Sequence, residues 1–132
     1  MLKRDSLTAM MQQLSHTLAK VKRLIVEDQQ PEALSTLEGV LAEYFGTSIT
    51  DLLETPANVF RQNLDKVGFL PEELSLLADF LDTAAGMRGA DAERDRIWEK
   101  VLLIYDLLEQ EHKVVSFDHI ARRAAIEAAR GN

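Results

Sequence analysis

Cysteine is missing from this chain altogether. That excludes disulfides, a thiolate nucleophile and every cysteine-based zinc or iron–sulfur site, and it suits a reducing compartment. Aromatic residues are scarce, at 6%, while Leu and Ala are abundant, a balance that favours helix packing over a pleated sheet. No apolar run is long enough to span a bilayer. The opening MLKRDSLTAMM reaches Asp5 and Ser6 without an apolar core, so no secretory leader is visible. Positive charge is in deficit: the formal net charge of −7 argues against a general nucleic-acid binder. We expect a cytoplasmic protein without membrane association. Familiar catalytic signatures are missing too. Gly86-Met87-Arg88-Gly89 has neither the strand before it nor the lysine after it that a phosphate loop needs, and no Gly-x-Ser-x-Gly elbow occurs.

Helical periodicity is what the chain does have. Its length of 132 residues, with 46% apolar composition, predicts one globular domain with its own core. The strongest signal is 91–112, DAERDRIWEKVLLIYDLLEQEH, which holds the single tryptophan. At ~100° per residue, Ile97, Trp98, Val101, Leu102, Ile104, Tyr105 and Leu108 fall in an arc of roughly 160°. Leu103 and Leu107 lie outside that arc, so this helix is apolar around most of its girth. It is expected to sit centrally, with neighbours on two sides.

The rest follows in order. Leu7, Met11, Leu14, Leu18, Val21 and Ile25 alternate spacings of four and three, predicting a first helix over 5–28. That stripe is either one seam of an antiparallel bundle or a self-association surface; the immediate second helix favours the seam. Pro31 opens the second helix, which aims Leu34, Leu37, Leu41 and Tyr44 one way and ends at Gly46. Gly39, in mid-helix, is expected to admit the close approach of another helix. Ser48 caps a short helix over 49–54, and Thr55 caps another over 56–67 with Pro56 at its first position. Pro71 opens a helix with a buried stripe of Leu74, Leu77, Ala78, Leu81 and Ala85. Ser116 caps the last helix, 117–130, whose face of Phe117, Ile120, Ala121, Ala124 and Ala128 is expected to pack closely on a neighbour. No strand alternation occurs. The expected architecture is all-α: six to seven helices in antiparallel hairpins, a TPR-like or irregular bundle, with an N-terminal hairpin over 5–45, middle helices over 49–88, and central and C-terminal helices over 91–130.

Pro31-Glu32-Ala33-Leu34, followed by Leu37 and Val40, has the spacing of the second helix of a tetratricopeptide (TPR) unit, and Trp98, Val101, Leu102 and Tyr105 have that of a first helix. The opening Met1-Leu2-Lys3-Arg4-Asp5, the helix from Glu32-Ala33-Leu34 to Gly46, and Tyr105-Asp106-Leu107-Leu108-Glu109 followed by Ser116-Phe117 together resemble an uncharacterised bacterial family of small, TPR-like, all-helical proteins. The resemblance implies a fold and a cytoplasmic location. It carries over no catalytic residue.

Three candidate chemistries remain. Glu109 and His112 share one helix face, the Glu-x-x-His spacing of di-iron bundles, but only one copy exists, so no metal site or cofactor is expected and a metal-binding helical-bundle enzyme is the least favoured reading. His16 and His119 have no partner at ligand spacing. Arg122, Arg123 and Arg130 make the last helix locally basic, which is the basis of a secondary reading as a nucleic-acid-associated regulator. The primary reading is a non-enzymatic protein–protein interaction or scaffold module. Its protein or peptide partner would lie in a groove that Tyr44, Phe45, Trp98 and Tyr105 could line, although the core is the favoured place for these four, or on a second copy through the Leu7–Met11–Leu14–Leu18–Val21–Ile25 stripe.

Overall fold

A computed structural model describes the backbone of residues 2–130 and the side chains of 6–130. The Met1-Leu2-Lys3-Arg4-Asp5 motif behind the family resemblance therefore lies outside the described side chains. The described residues form an all-α bundle of seven helices: α1 (Leu2–Val26), α2 (Gln30–Val40), α3 (Ile49–Glu54), α4 (Ala57–Val67), α5 (Pro71–Gly86), α6 (Asp91–Gln110) and α7 (Phe117–Arg130). None of the described helices is long and apolar enough to cross a membrane.

α1 and α2 make the expected antiparallel hairpin, turned by Asp28 in the left-handed region at φ 60°. The second helix does not continue as an α-helix to Phe45. It ends in a π-helical turn, Leu41–Phe45, closed by Gly46 at φ 65°, with the Thr47 N–H donating to the Leu41 carbonyl. Both Leu41 and Phe45, at the two ends of this turn, are buried. Ser48 caps α3, its Oγ accepting from the Asp51 N–H at 3.0 Å. Thr55 does not cap α4: Pro56 takes the cap position in extended geometry, and the helix starts one residue later, at Ala57. Gly68, at φ 74°, ends it.

α5 and α6 form the spine of the molecule. α5 packs on α6 and also meets α1 and α2; α6 meets α3, α4, α5 and α7. That accounts for the girdle of apolar residues around α6, since Leu107, outside the main arc, is buried and Leu103, farther round, is half-buried. All five expected core positions of α5 are buried, together with Phe80 and Ala84. The buried side chains form one contiguous cluster running from Leu14 to Ile126.

Two expectations are corrected. Gly39 has nothing within 4 Å of where a Cβ would stand, so no neighbouring helix requires a glycine there. The larger correction concerns α7. Its Phe117, Ile120, Ala121, Ala124 and Ala128 face solvent, with Phe117 90% exposed. Ile126, on the opposite side of the helix, is the residue that docks, flanked by half-buried His119, Arg123 and Ala129. The alanines bring little apolar area to bury, whereas the opposite face brings one isoleucine and the basic groups that meet carboxylates on α5 and α6.

Lys100 is the one buried charged residue among those described, with its side chain 2% exposed. It borders a small cleft with Leu53, Glu54 and Thr55, where α3 ends. Arg96 reaches the same place, its Nη1 donating to the Leu53 carbonyl at 3.4 Å. Both cations thus stand at the negative pole of α3, whose last carbonyls have no helical partner. Burial lowers the Lys100 pKa, and Glu99, 3.9 Å away, offsets part of that effect.

Candidate functional site

The apolar stripe of α1 has two halves. Leu14, Leu18 and Val21 are buried, and Ile25 packs against the core from a half-buried position. Leu7 and Met11 are only half-buried, Met11 with one side still against the core. α1 runs for 25 residues, while α2 and its π-helical turn cover 30–45 alone, so the N-terminal part of α1 extends past its hairpin partner. There, an open groove of about 750 Å³ runs along α1 to the start of α5. Leu7, Met11 and Ala19 supply its apolar lining; Thr8, Gln12, Ser15 and His16 supply polar groups. Glu72, from the first turn of α5, is its single formal charge. Met10, on the other flank of the stripe, is 41% exposed.

The groove coincides with a compositional gap that periodicity does not reveal. Residues 6–19 contain no Asp, Glu, Lys or Arg, in a chain where those residues make up 28%. A surface helix normally carries charge on its outer face. Fourteen residues without an Asp, Glu, Lys or Arg make about 21 Å of helix, and interface cores are likewise depleted of charge and enriched in methionine. Counting charges along the first helix would have found this surface from sequence.

The four candidate groove aromatics lie elsewhere, in two separate clusters. Tyr44 and Phe45 meet edge to face at 5.0 Å, and Phe45 packs on Phe69 and Phe80. Phe45 is buried and Tyr44 half-buried. The Tyr44 hydroxyl donates to Glu73 Oε2 at 2.7 Å, while Glu73 Oε1 accepts from the Leu70 N–H that opens α5. Burial, with the Glu73 carboxylate beside it, pushes the Tyr44 pKa up to about 12. This tyrosine therefore ties the π-helical turn to the start of α5.

Trp98 and Tyr105 sit on α6, both buried, around Asp82 of α5 and the inner face of α7. Trp98 Nε1 donates to Asp82 Oδ1 at 3.0 Å, and Arg94 stacks over the indole at 4.5 Å. Arg122 donates to both oxygens of Asp82, at 2.7 and 2.8 Å. The His119 ring stacks on Tyr105 at 4.6 Å. Burial first, then the carboxylates of Asp82 and Asp79, push the Tyr105 pKa up to about 12. Beside this cluster lies a polar cleft bordered by Lys22, Asp79, Asp82, Thr83, Asp118 and Arg122. Asp79 has its pKa raised, chiefly by burial and further by Asp82 and Asp118, against the opposing pull of His119 and Lys22.

The basic face of α7 is thus occupied from within the molecule. Arg122 is bound to Asp82, and Arg123 pairs with Asp106 at 2.9 Å and Glu109 at 3.4 Å. Arg130 remains exposed at the helix end. The ion pair to Arg123 also turns Glu109 toward α7, while His112 lies exposed just past the end of α6. Among the described residues no three His, Cys, Asp or Glu side chains converge as a metal site.

In comparisons with protein families, curated proteins and solved structures, nothing matches this chain.

Proposed function

We propose that this chain is a non-enzymatic protein–protein interaction module that docks its partner on the N-terminal half of α1. The observation that carries the reading is the change along one helix stripe, from buried Leu14, Leu18 and Val21 to half-buried Leu7 and Met11 beside an open, nearly uncharged groove. A helix of a partner laid there would continue the seam that α2 leaves uncovered. The helical-hairpin character behind the TPR-like resemblance supports the reading, because stacked hairpins commonly leave one face open for a peptide or helix. A cysteine-free chain goes with a cytoplasmic setting. The nucleic-acid reading has less support, since Arg122 and Arg123 are engaged by carboxylates of their own chain.

The test places a photo-crosslinking residue at Thr8, at Ser15, or at the exposed Gln62 of α4 as a control, in cells producing the full chain. A covalent adduct of defined mass from Thr8 and Ser15, identified by mass spectrometry and absent from Gln62, is the expected result. Adducts equal at all three positions, or none in the groove, would overturn the reading.

A further inference from the structure

We infer that the occupant of the α1 groove is a second copy of this chain, with the two α1 helices antiparallel across a two-fold axis near Gln12 and Gln13. This rests on the docking reading above and adds the identity of the partner.

The argument begins with charge. A protein of net charge −7 repels its own copy over most of its surface. Residues 6–19 of α1 are where it does not, because neither copy brings an Asp, Glu, Lys or Arg from that stretch. An acidic protein that recruits a foreign partner ordinarily offers its carboxylates to a basic surface, which steers the encounter. This groove offers a single acid, Glu72, at its end on α5.

Donor and acceptor chemistry points the same way. A two-fold contact sets each patch against itself, so its groups must be complementary to their own kind. A carboxylate only accepts and an ammonium only donates, so neither pairs with its own copy. Amides and hydroxyls do both. Thr8, Gln12 and Ser15 are all of this second kind, and they line the groove beside Leu7 and Met11. The midpoint of 6–19 falls between Gln12 and Gln13, so a two-fold axis there superposes the whole neutral stretch on itself. It also sets Leu7 of one copy level with Leu18 of the other, one residue from Ala19. A helix-on-helix contact about 21 Å long lies at the small end of interface sizes, so an affinity on the order of micromolar is expected.

Sedimentation equilibrium of the intact chain across concentration, combined with native mass spectrometry of variants, tests this. Gln12 is exposed, so neither Gln12→Glu nor Gln12→Lys threatens the core. Each should weaken the dimer at least tenfold with an unchanged circular dichroism spectrum, because like charges then meet at the axis. An equimolar mixture of the two variants should recover dimers containing one of each, which loss of folding could not produce. A wild-type chain that stays monomeric up to about 1 mM overturns the inference. So does a dimer indifferent to both substitutions, or one lost instead on Phe117→Ser and Ile120→Ser, which would place the contact on the outer face of α7. If the chain is monomeric yet Thr8 and Ser15 crosslink to a different protein, the docking reading stands and this inference fails. If neither occurs, both fail.

Discussion

Asp82 holds Arg122 by two hydrogen bonds, 2.7 and 2.8 Å long, across forty residues of sequence, and the same carboxylate also accepts from the Trp98 indole at 3.0 Å. One side chain of α5 thereby anchors α6 and α7 together. Asp82 is the more enclosed partner, 17% exposed against 45% for Arg122. Removing each should therefore have different consequences. Asp82→Ala leaves a buried indole N–H without an acceptor and a guanidinium without its counter-ion, and should cost about 2–4 kcal/mol. Arg122→Ala should cost no more than about 1 kcal/mol, since its partner gains access to water. Chemical denaturation of the two variants checks the order. Trp98, the only tryptophan, reports any loosening at Asp82 directly by fluorescence.

The docking of α7 should depend on one apolar side chain. Ile126 is fully buried, and Ile126→Ala should cost about 2–5 kcal/mol of local stability. The readout is amide hydrogen exchange, with protection lost over 117–130 before any other helix responds. Phe117→Ser, at a residue 90% exposed, should change stability by less than about 0.5 kcal/mol. A large loss from Phe117→Ser in the monomer would mean that α7 packs by its other face.

Gly39 offers a substitution that should stabilise. It is helical, has no positive φ, and has open space where a side chain would go. Gly39→Ala removes backbone freedom from the unfolded chain and should add about 0.5–1 kcal/mol. Thermal unfolding measures this, and a lower Tm would indicate a contact at this position that the geometry does not contain.

Asp79 should make stability depend on pH with a definite sign. Its folded pKa is raised, mainly by burial, above the ordinary carboxylate value near 3.9. Between those two values the folded protein holds more protons than the unfolded chain. The contribution of Asp79 is therefore favourable below about pH 3.9 and is lost as pH rises through its folded pKa. Asp79→Asn should raise Tm at pH 7 and leave it nearly unchanged at pH 3, where the native residue is already neutral. An equal gain at both values would assign the effect to something other than ionisation.

Much of the helical order was legible because local chemistry specifies it. The four–three alternation of α1, the Ser48 cap of α3, the Pro71 start of α5 and the two-sided apolar girth of α6 each state a local preference that the packing keeps. Trp98 and Tyr105 showed their burial in the same periodicity, but that the Trp98 indole bonds Asp82 did not appear, because Asp82 lies on another helix and reads locally as a surface acid. The orientation of α7 was hidden for a related reason. His119, Arg123, Ile126 and Arg130 recur at the same helical spacing as an apolar stripe, yet whether that face turns inward depends on acids at 82, 106 and 109. In the π-helical turn, the sequence from Leu41 to Phe45 carries an ordinary helical pattern, and the hydrogen bond from Tyr44 to Glu73 that accompanies the turn joins groups 29 residues apart.

By itself, then, the sequence determined that this chain is helical, where its helices begin and end to within a few residues, and that α6 lies inside. Those follow from spacing, caps and side-chain chemistry acting over a few residues. Only the tertiary structure decided which face of α7 turns inward and how far along α1 the core extends. Both depend on groups distant in sequence: carboxylates on α5 and α6 draw the basic face of α7, and the shortness of α2 leaves the neutral end of α1 uncovered.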